Sequence, residues 1–198
     1  MAMILHLQAR DSLIRLWKSM NSANHDLAFE MIKGLNLQNE DLLWLWDTYQ
    51  SWESKPYRKT TLTNFPNMSQ DDILKGRILS IILESNIGES IIRQYFFNHQ
   101  SLRLPYNTLE HIPSCLTILS PEVQQWVWQD GELLEIGENI IHFQGLRHID
   151  FRRQPIQYIH PNVALLPHLE EIYLVSTSFL PPELSERHDI EIYTVAPY

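Results

Sequence analysis

The sequence predicts an α/β protein in two parts: an α-helical subdomain over residues 1–98, and a solenoid of short parallel strands over residues 99–198. Two observations lead to this prediction. The first half has helical periodicity with capping residues, and the second repeats one apolar spacing every 23 residues or so. The composition is that of a folded globular chain, because 44% of the residues are hydrophobic and 20% are charged.

Apolar stripes at helical spacing predict five helices in the first half. Asn24 and Asn39 are the predicted N-caps of the second and third helices, and Gly34 is the predicted end of the second. The apolar run Leu42–Trp46 predicts a helix buried between others, with a pocket for an aromatic or sugar ligand as the alternative. A loop containing Pro56 and Pro66 is predicted after the third helix. The predicted helices cover residues 11–20, 25–35, 40–54, 71–85 and 88–98.

The second half is built on one apolar spacing. With Leu146 as position zero, apolar residues follow at offsets 3, 5, 10, 13, 17 and 20, and the same six offsets recur from Val123. A further copy begins at His99, and a fourth begins at Leu169 and becomes irregular after Phe179. Neither a continuous helix nor a simple β-meander has this spacing.

Each repeat is expected to contribute one short strand. Offsets 3 and 5 lie on the same side of a strand and should stack on the equivalent pair of the next repeat. A single repeat cannot bury its apolar face alone, so both ends need covers, and residues 1–98 are predicted to seal the first repeat. The predicted inward pairs include Trp126/Trp128, Ile149/Phe151 and Ile172/Leu174.

Residues 102–119, LRLPYNTLEHIPSCLTIL, resemble the leucine-rich repeat consensus, with Asn107 at the family's asparagine position. In the other repeats Gly131, Gln154 and Thr177 stand in place of that asparagine, so a continuous ladder of side-chain amides is not expected. Residues 21–35, NSANHDLAFEMIKGL, also resemble the helical segment that precedes such repeats in some bacterial cytoplasmic proteins. This resemblance implies a protein that binds its partners on the concave side of the repeats.

Charge is concentrated in the second half. Residues 99–198 contain 5 Arg, no Lys and 13 Asp or Glu, so their formal net charge is −8. Such a field repels nucleic acid and anionic membranes and attracts a basic protein partner. The amino-terminal residues MAMILHLQARDSLIRLW lack the long apolar run of a signal peptide or membrane span, which predicts a cytoplasmic protein.

The sequence offers no recognisable catalytic chemistry. It contains no phosphate-binding or dinucleotide-binding glycine motif and no His-Glu-x-x-His or Gly-x-Ser-x-Gly sequence. The histidines of the second half scatter over different repeat offsets, so no metal site is expected. We therefore expect no enzyme activity, catalytic residue or cofactor. An enzyme would need a pocket that gathers His, Asp or Glu near residues 93–106.

The binding surface is predicted from the strand positions between the inward pairs. Offsets 2, 4, 6 and 7 should form rows across the concave face, with Glu191 continuing the row of offset 4 and Val175 ending the row of offset 6. Aromatic and Arg anchors surrounded by acidic groups are typical of protein-binding surfaces, although solvated strand residues are the alternative. The predicted partner-binding residues are Arg103, Tyr106, Gln125, Val127, Gln129, His148, Asp150, Arg152, Arg153, Glu171 and Tyr173.

Two functions are consistent with these patterns. The first is a non-enzymatic interaction module that binds a protein on its concave face. The second is an immunity-type inhibitor that neutralises a basic enzyme or toxin. In addition, the last strand, at residues 190–195, leaves a sheet edge that could pair with a second copy in a homodimer.

Overall fold

A computed structural model describes residues 7–19, 21–35, 37–51, 70–85, 87–128, 130–176 and 179–196. The chain divides into two compact units, Met1–Ile87 and Gly88–Tyr198. The first unit is helical and the second is built around a mostly parallel sheet, so the predicted α/β class is confirmed. Of the helices in these ranges, none combines the length and apolar character needed to cross a bilayer. The predicted loop with Pro56 and Pro66 lies outside the described residues.

The first unit contains four described helices: α1 (Leu7–Lys18), α2 (Ser22–Lys33), α3 (Asn39–Ser51) and α4 (Gln70–Leu83). Helix α2 packs against α1 and α4, and α3 also packs against α4. Two predicted caps are wrong. The Asn21 side chain caps α2 by accepting a hydrogen bond from the Ala23 amide, whereas Asn24 donates to Ser19. Asn39 is the first residue of α3 rather than its cap. Gly34 ends α2 as predicted.

The apolar run in α3 is only partly buried. Leu45 and Trp46 belong to the core, as the burial interpretation predicted, but the Leu43 side chain is 50% exposed. Trp44 stacks on Trp17 of α1 with ring centroids 6.0 Å apart. The tryptophans of α3 therefore contribute to helix packing.

The second unit begins with α5 (Gly88–Tyr95), which packs against the 3-10 helix Ser114–Leu119. The predicted extension of this helix to Asn98 is wrong, because the next residues form strand β1 (Phe97–Asn98). Strand β1 pairs antiparallel with β2 (Ser101–Leu104) through a tight turn. Both central residues of this turn, His99 and Gln100, have positive φ angles of 47° and 66°, as in the type I′ turns that join hairpins.

The main sheet continues with parallel strands taken from successive repeats. It has six strands in the order β1-β2-β3-β5-β7-β8. A smaller parallel pair joins β4 and β6. The remaining strands are β3 (Gln125–Trp128), β4 (Glu135–Ile136), β5 (His148–Asp150), β6 (Tyr158–Ile159), β7 (Glu171–Val175) and β8 (Glu191–Val195). The 3-10 helices Ser114–Leu119, Glu138–His142 and Pro161–Leu165 and the short helix α6 (Pro182–Ser185) lie in the connections between main-sheet strands.

The strand register agrees with the spacing of the apolar residues. Trp126 pairs with Ile149, and Ile149 with Ile172, on adjoining parallel strands, as the sequence predicts. All three side chains are fully buried, as are the predicted inward residues at offset 5. Buried residues at the later offsets close the same core from the connections; they include Leu116, Leu119, Ile136, Ile140, Phe143, Ile159, Val163 and Leu166.

Two residues predicted to be buried by the repeat pattern are exposed. His99 lies exposed in the β1–β2 turn, although the equivalent Val123 and Leu146 are fully buried. Phe179 was predicted to continue the fourth copy, but its side chain is 65% exposed. Instead, Leu184 of α6 is fully buried, because the chain after Leu180 forms a short helix in place of the regular connection.

Two buried side-chain amides bond to the backbone near the strand ends. Asn107 donates to the Pro105 carbonyl (2.9 Å) and accepts from the Leu109 amide (3.2 Å). Gln154 makes similar bonds to the repeat before its own, donating to the Trp128 carbonyl (3.2 Å) and accepting from the Leu133 amide (3.1 Å). The Gln154 amide lies over Gly131, where a Cβ atom would be 2.7 Å from Gln154 Oε1. A side chain at this position, where the first repeat has asparagine, would force the Gln154 amide to shift.

Candidate partner-binding face

Alternate residues of the five parallel strands form one accessible surface. Their neighbours at offsets 3 and 5 point into the core, so the residues at offsets 2 and 4 lie on the opposite side of the sheet. All of them are half-buried or exposed. We call this surface the open strand face; it consists of Ser101, Arg103, Gln125, Val127, His148, Asp150, Glu171, Tyr173, Glu191 and Tyr193.

The last strand enters this face in a register that differs from the predicted one. Glu191 was expected to continue the row of offset 4, but it pairs with Glu171 of offset 2. Tyr193 pairs with Tyr173 and occupies the expected position. From the sequence, either Ile190 or Ile192 could be aligned with Ile172, and the structure pairs Ile192 with it. Had the sequence been aligned in this way, it would have predicted Tyr193 beside Tyr173.

Two tyrosines and an arginine form an exposed stack at this end of the face. The rings of Tyr173 and Tyr193 are 4.6 Å apart between centroids, with planes 10° from parallel. The Arg152 guanidinium carbon lies 5.0 Å from the Tyr173 ring centroid, in the range of a cation–π contact. Asp150 holds that guanidinium by accepting hydrogen bonds from Nε (2.9 Å) and a terminal nitrogen (2.7 Å). Arg152, Tyr173 and Tyr193 are hereafter called the tyrosine stack.

Electrostatic interactions keep these groups in defined protonation states. Partial burial opposes ionisation of Asp150, but hydrogen bonds from the Arg152 side chain and backbone, and the charges of Arg152 and Arg153, lower its pKa overall. Burial and the hydrogen bond to Glu171 raise the pKa of Tyr173. The hydrogen bond from Tyr193 to Glu191, reinforced by the carboxylate charge, raises the pKa of Tyr193 to about 12. Both tyrosines are therefore neutral donors at physiological pH.

Two carboxylates lie side by side next to the tyrosine stack. Glu171 and Glu191 are paired residues on neighbouring strands, and each accepts a hydrogen bond from the tyrosine two residues further along its own strand. The Glu171 carboxylate is 3.4 Å from His148 Nδ1. Within the described part of the chain, neither carboxylate forms an ion pair with Lys or Arg. Like charges on paired residues repel each other, so this acidic pair favours a cationic partner group.

Comparison with known proteins assigns no relative. No family model, curated protein or solved structure matches this chain.

The remaining predicted residues form smaller polar clusters. Ser101 donates to Gln125 (3.0 Å) and accepts from Arg103 Nε (3.3 Å) at the other end of the face. Beyond the strand ends, Tyr106 donates to Glu132 (3.1 Å). Val127 is half-buried at the centre of the face.

Other parts of the predicted surface are changed or untested. Arg153 forms an ion pair with Asp130 (3.0 Å). Val175 was predicted to be outward but is buried, because β7 continues as far as this residue and pairs with β8 there. Gln129 lies outside the described residues.

The face combines several kinds of interacting group. Among the described residues, no group of three or more His, Cys, Asp or Glu gathers in a way that could hold a metal ion. The face presents planar aromatic groups, an oriented guanidinium and acidic groups at its margin. Such groups bind other side chains through stacking, hydrogen bonds and charge.

Proposed function

We propose that this chain is a non-enzymatic leucine-rich repeat protein, and that the open strand face binds a protein partner. In this proposal the second unit is a short solenoid and the tyrosine stack is its main contact. Support comes from the apolar spacing of 23 residues together with the parallel register of Trp126, Ile149 and Ile172. A cytoplasmic location is part of the proposal and rests on the sequence alone.

The observation that carries the binding proposal is the exposed tyrosine stack. Tyrosine and arginine are enriched among residues that dominate interface energies, because they add large rigid contacts at a small entropic cost. Tyr193 is 41% exposed although it stacks on Tyr173. The hydrogen bonds to Glu171, Glu191 and Asp150 orient all three members of the stack before a partner arrives. This preorganisation reduces the entropic cost of binding.

A second candidate function is inhibition of a basic protein. The acidic pair Glu171 and Glu191 and the −8 formal charge of residues 99–198 favour a basic enzyme or toxin as the partner. An inhibitor should retain one basic protein in stoichiometric amount through high-salt washing. A scaffold should release its partners as salt rises, because screening weakens contacts between exposed charges.

The test is the combined substitution Tyr173→Ala and Arg152→Ala. Partner capture from lysate of the native organism should fall at least about tenfold, because both proposed anchors are lost. The circular dichroism spectrum should not change, since both side chains lie outside the core. The matched control is Tyr158→Ala with Arg93→Ala, which removes an exposed tyrosine and arginine from other surfaces. Equal capture by the two double variants would contradict the proposal.

A further inference from the structure

Among the described strands, β8 is the outermost at one edge of the six-stranded sheet. The Glu191 amide donates to Glu170, and the Val195 carbonyl accepts from Ser176, both at 2.8 Å. Backbone groups alternate in direction along a strand, so those of Ile192 and Thr194 point away from β7. In the described part of the chain, no strand pairs with this outer edge.

The two edge strands of the sheet differ in the features that prevent pairing with a strand of another molecule. At one edge β1 is only 2 residues long and ends at the His99–Gln100 turn. At the other, β8 has 5 residues, EIYTV, with neither lysine nor proline. Short strands, lysine and proline are the usual means of blocking an edge. Strand β8 therefore remains suited to backbone pairing.

The apolar row at offset 3 is also incomplete at β8. Leu102, Trp126, Ile149 and Ile172 are all 0% exposed, whereas Ile192, in the same row, is only half-buried. The first four residues have a neighbouring strand on each side, and Ile192 has one on the β7 side alone. A further strand alongside β8 would give Ile192 the surroundings of the other four.

We propose that β8 pairs antiparallel with β8 of a second copy, about a two-fold axis through the Tyr193 pair. In this register Ile192 of each copy lies opposite Thr194 of the other. Because the backbone groups of both residues point outward, each such pair can exchange two hydrogen bonds. Tyr193 then lies opposite its own equivalent on the open strand face, so that the tyrosines of the two copies continue one row across the axis.

Charge and backbone geometry both fit this antiparallel arrangement. Glu191 is the only charged residue of β8, and in the antiparallel register it lies opposite Val195 of the second copy. The two Glu191 residues are four positions apart along the strand direction, roughly 14 Å, which exceeds the Debye length of about 8 Å at physiological salt. In-register parallel pairing would lack the hydrogen bonds between Ile192 and Thr194, because a parallel ladder requires one residue of each opposed pair to direct its backbone groups away from the other strand, whereas those of Ile192 and Thr194 point outward in both copies.

The first test uses Thr194. Sedimentation equilibrium of the full chain over a concentration series should show reversible doubling of the mass. Thr194→Pro removes the outward amide without changing a bond to β7, and should weaken association at least about tenfold. Thr194→Val keeps the amide and the β-branched shape, and should associate like the unchanged chain. A chain that stays monomeric throughout the series, or that associates equally with proline at this position, would overturn the proposal.

The second test locates the axis and leaves the β8 backbone unchanged. In a Cys115→Ala background, Tyr193→Cys should form an intermolecular disulfide on mild oxidation, because directly opposed residues without mutual hydrogen bonds have Cα atoms about 4.5 Å apart. The matched control is Val195→Cys, whose equivalents are four positions apart across the axis and should remain reduced. Cross-linking at Val195 in preference to Tyr193 would overturn the proposed register. This proposal is independent of the partner-binding function.

Discussion

At the residue scale, the second unit depends on two buried amides. Asn107 and Gln154 each join a carbonyl near the end of a strand to an amide a few residues further along. Asn107 does this within its own repeat, whereas Gln154 reaches back from the following repeat. Both side chains are almost completely buried, so each bond satisfies a backbone group that water cannot reach.

Replacing Gln154 by Ala should lower the free energy of unfolding by about 3 kcal/mol, because the Leu133 amide and Trp128 carbonyl each lose a bond in the core. Gly131→Ala should cost about 1–3 kcal/mol through steric conflict with the Gln154 amide. In the double variant, Gly131→Ala should cost less than it does alone, because the closest atoms are gone. Urea denaturation measures these differences, with exposed Gln157→Ala as the control. If the losses of stability in the two single variants simply add in the double variant, there is no steric conflict between a side chain at position 131 and Gln154.

The Tyr193–Glu191 contact predicts a pH effect at a single residue. The pKa of Tyr193 is raised from 10.0 to about 12, with the hydrogen bond to Glu191 as the largest cause. A raised pKa means that the folded state favours the neutral phenol. The contact therefore stabilises the fold fully below pH 10 and loses this contribution as the pH rises from 10 toward 12.

Glu191→Gln removes the carboxylate charge and should bring the pKa of Tyr193 back toward its ordinary value. Carbon NMR of the labelled tyrosine rings can follow this titration. Glu186→Gln, at an exposed position away from the tyrosine stack, is the control and should leave the pKa of Tyr193 unchanged. Equal titration of Tyr193 in all three proteins would show that Glu191 has no such effect.

At the scale of elements, the β1–β2 hairpin has an unusual turn. His99 and Gln100 both adopt positive φ angles, a region that asparagine and glycine occupy more easily. The turn brings β1 back against β2, and the Phe96 carbonyl accepts a bond from the Arg103 amide. The hairpin therefore forms at a cost in backbone strain that the surrounding bonds offset.

His99→Asn combined with Gln100→Gly should stabilise the protein by about 1 kcal/mol or more, because this dipeptide suits a turn with two positive φ angles. Thermal unfolding followed by circular dichroism measures the effect. The control, Gln157→Gly, places glycine at an exposed position with an ordinary φ angle and should destabilise slightly. If the turn variant is less stable than the unchanged protein, contacts of the His99 or Gln100 side chain stabilise the fold by more than the backbone strain at these residues destabilises it.

At the scale of the whole molecule, α5 belongs to the sheet-containing unit. It packs against β1 and the 3-10 helix Ser114–Leu119, and its Ile91 and Ile92 side chains are buried. The helical pattern of residues 88–98 had instead predicted that they belong to the helical subdomain. Their position at the start of the second unit makes them a local cover for the first repeat.

A fragment of residues 88–198 should unfold cooperatively, whereas one of residues 99–198 should not, or should unfold at least about 10 °C lower. Cutting at 99 removes β1 and exposes the surface that Ile91 and Ile92 cover; burial of such side chains contributes about 1.5–3 kcal/mol each. Calorimetry of both fragments and the full chain tests this. Equal melting temperatures for the two fragments would contradict a covering role for α5.

The open strand face was predictable only in part. The spacing of apolar residues predicted that Asp150 and Tyr173 would be neighbours on parallel strands, and the structure confirms this. The spacing did not predict the contact between the Arg152 guanidinium and the Tyr173 ring. Arg152 follows β5, and the direction of its side chain depends on the hydrogen bonds to Asp150. The spacing also placed Glu191 where Tyr193 lies, because alternation alone allows a strand to shift by two residues.

The apolar spacing of the sequence predicts most of the core of the second unit and the order of its parallel strands, but not the exposure of His99 and Phe179 or the burial of Val175 and Leu184. A repeated apolar spacing can be buried on one side only if successive strands align with the same offsets. Only tertiary contacts place Gln154 over Gly131 and set the register of β8. Each of these depends on hydrogen bonds or close contacts between residues distant in the chain, which no local pattern of apolar and polar residues records.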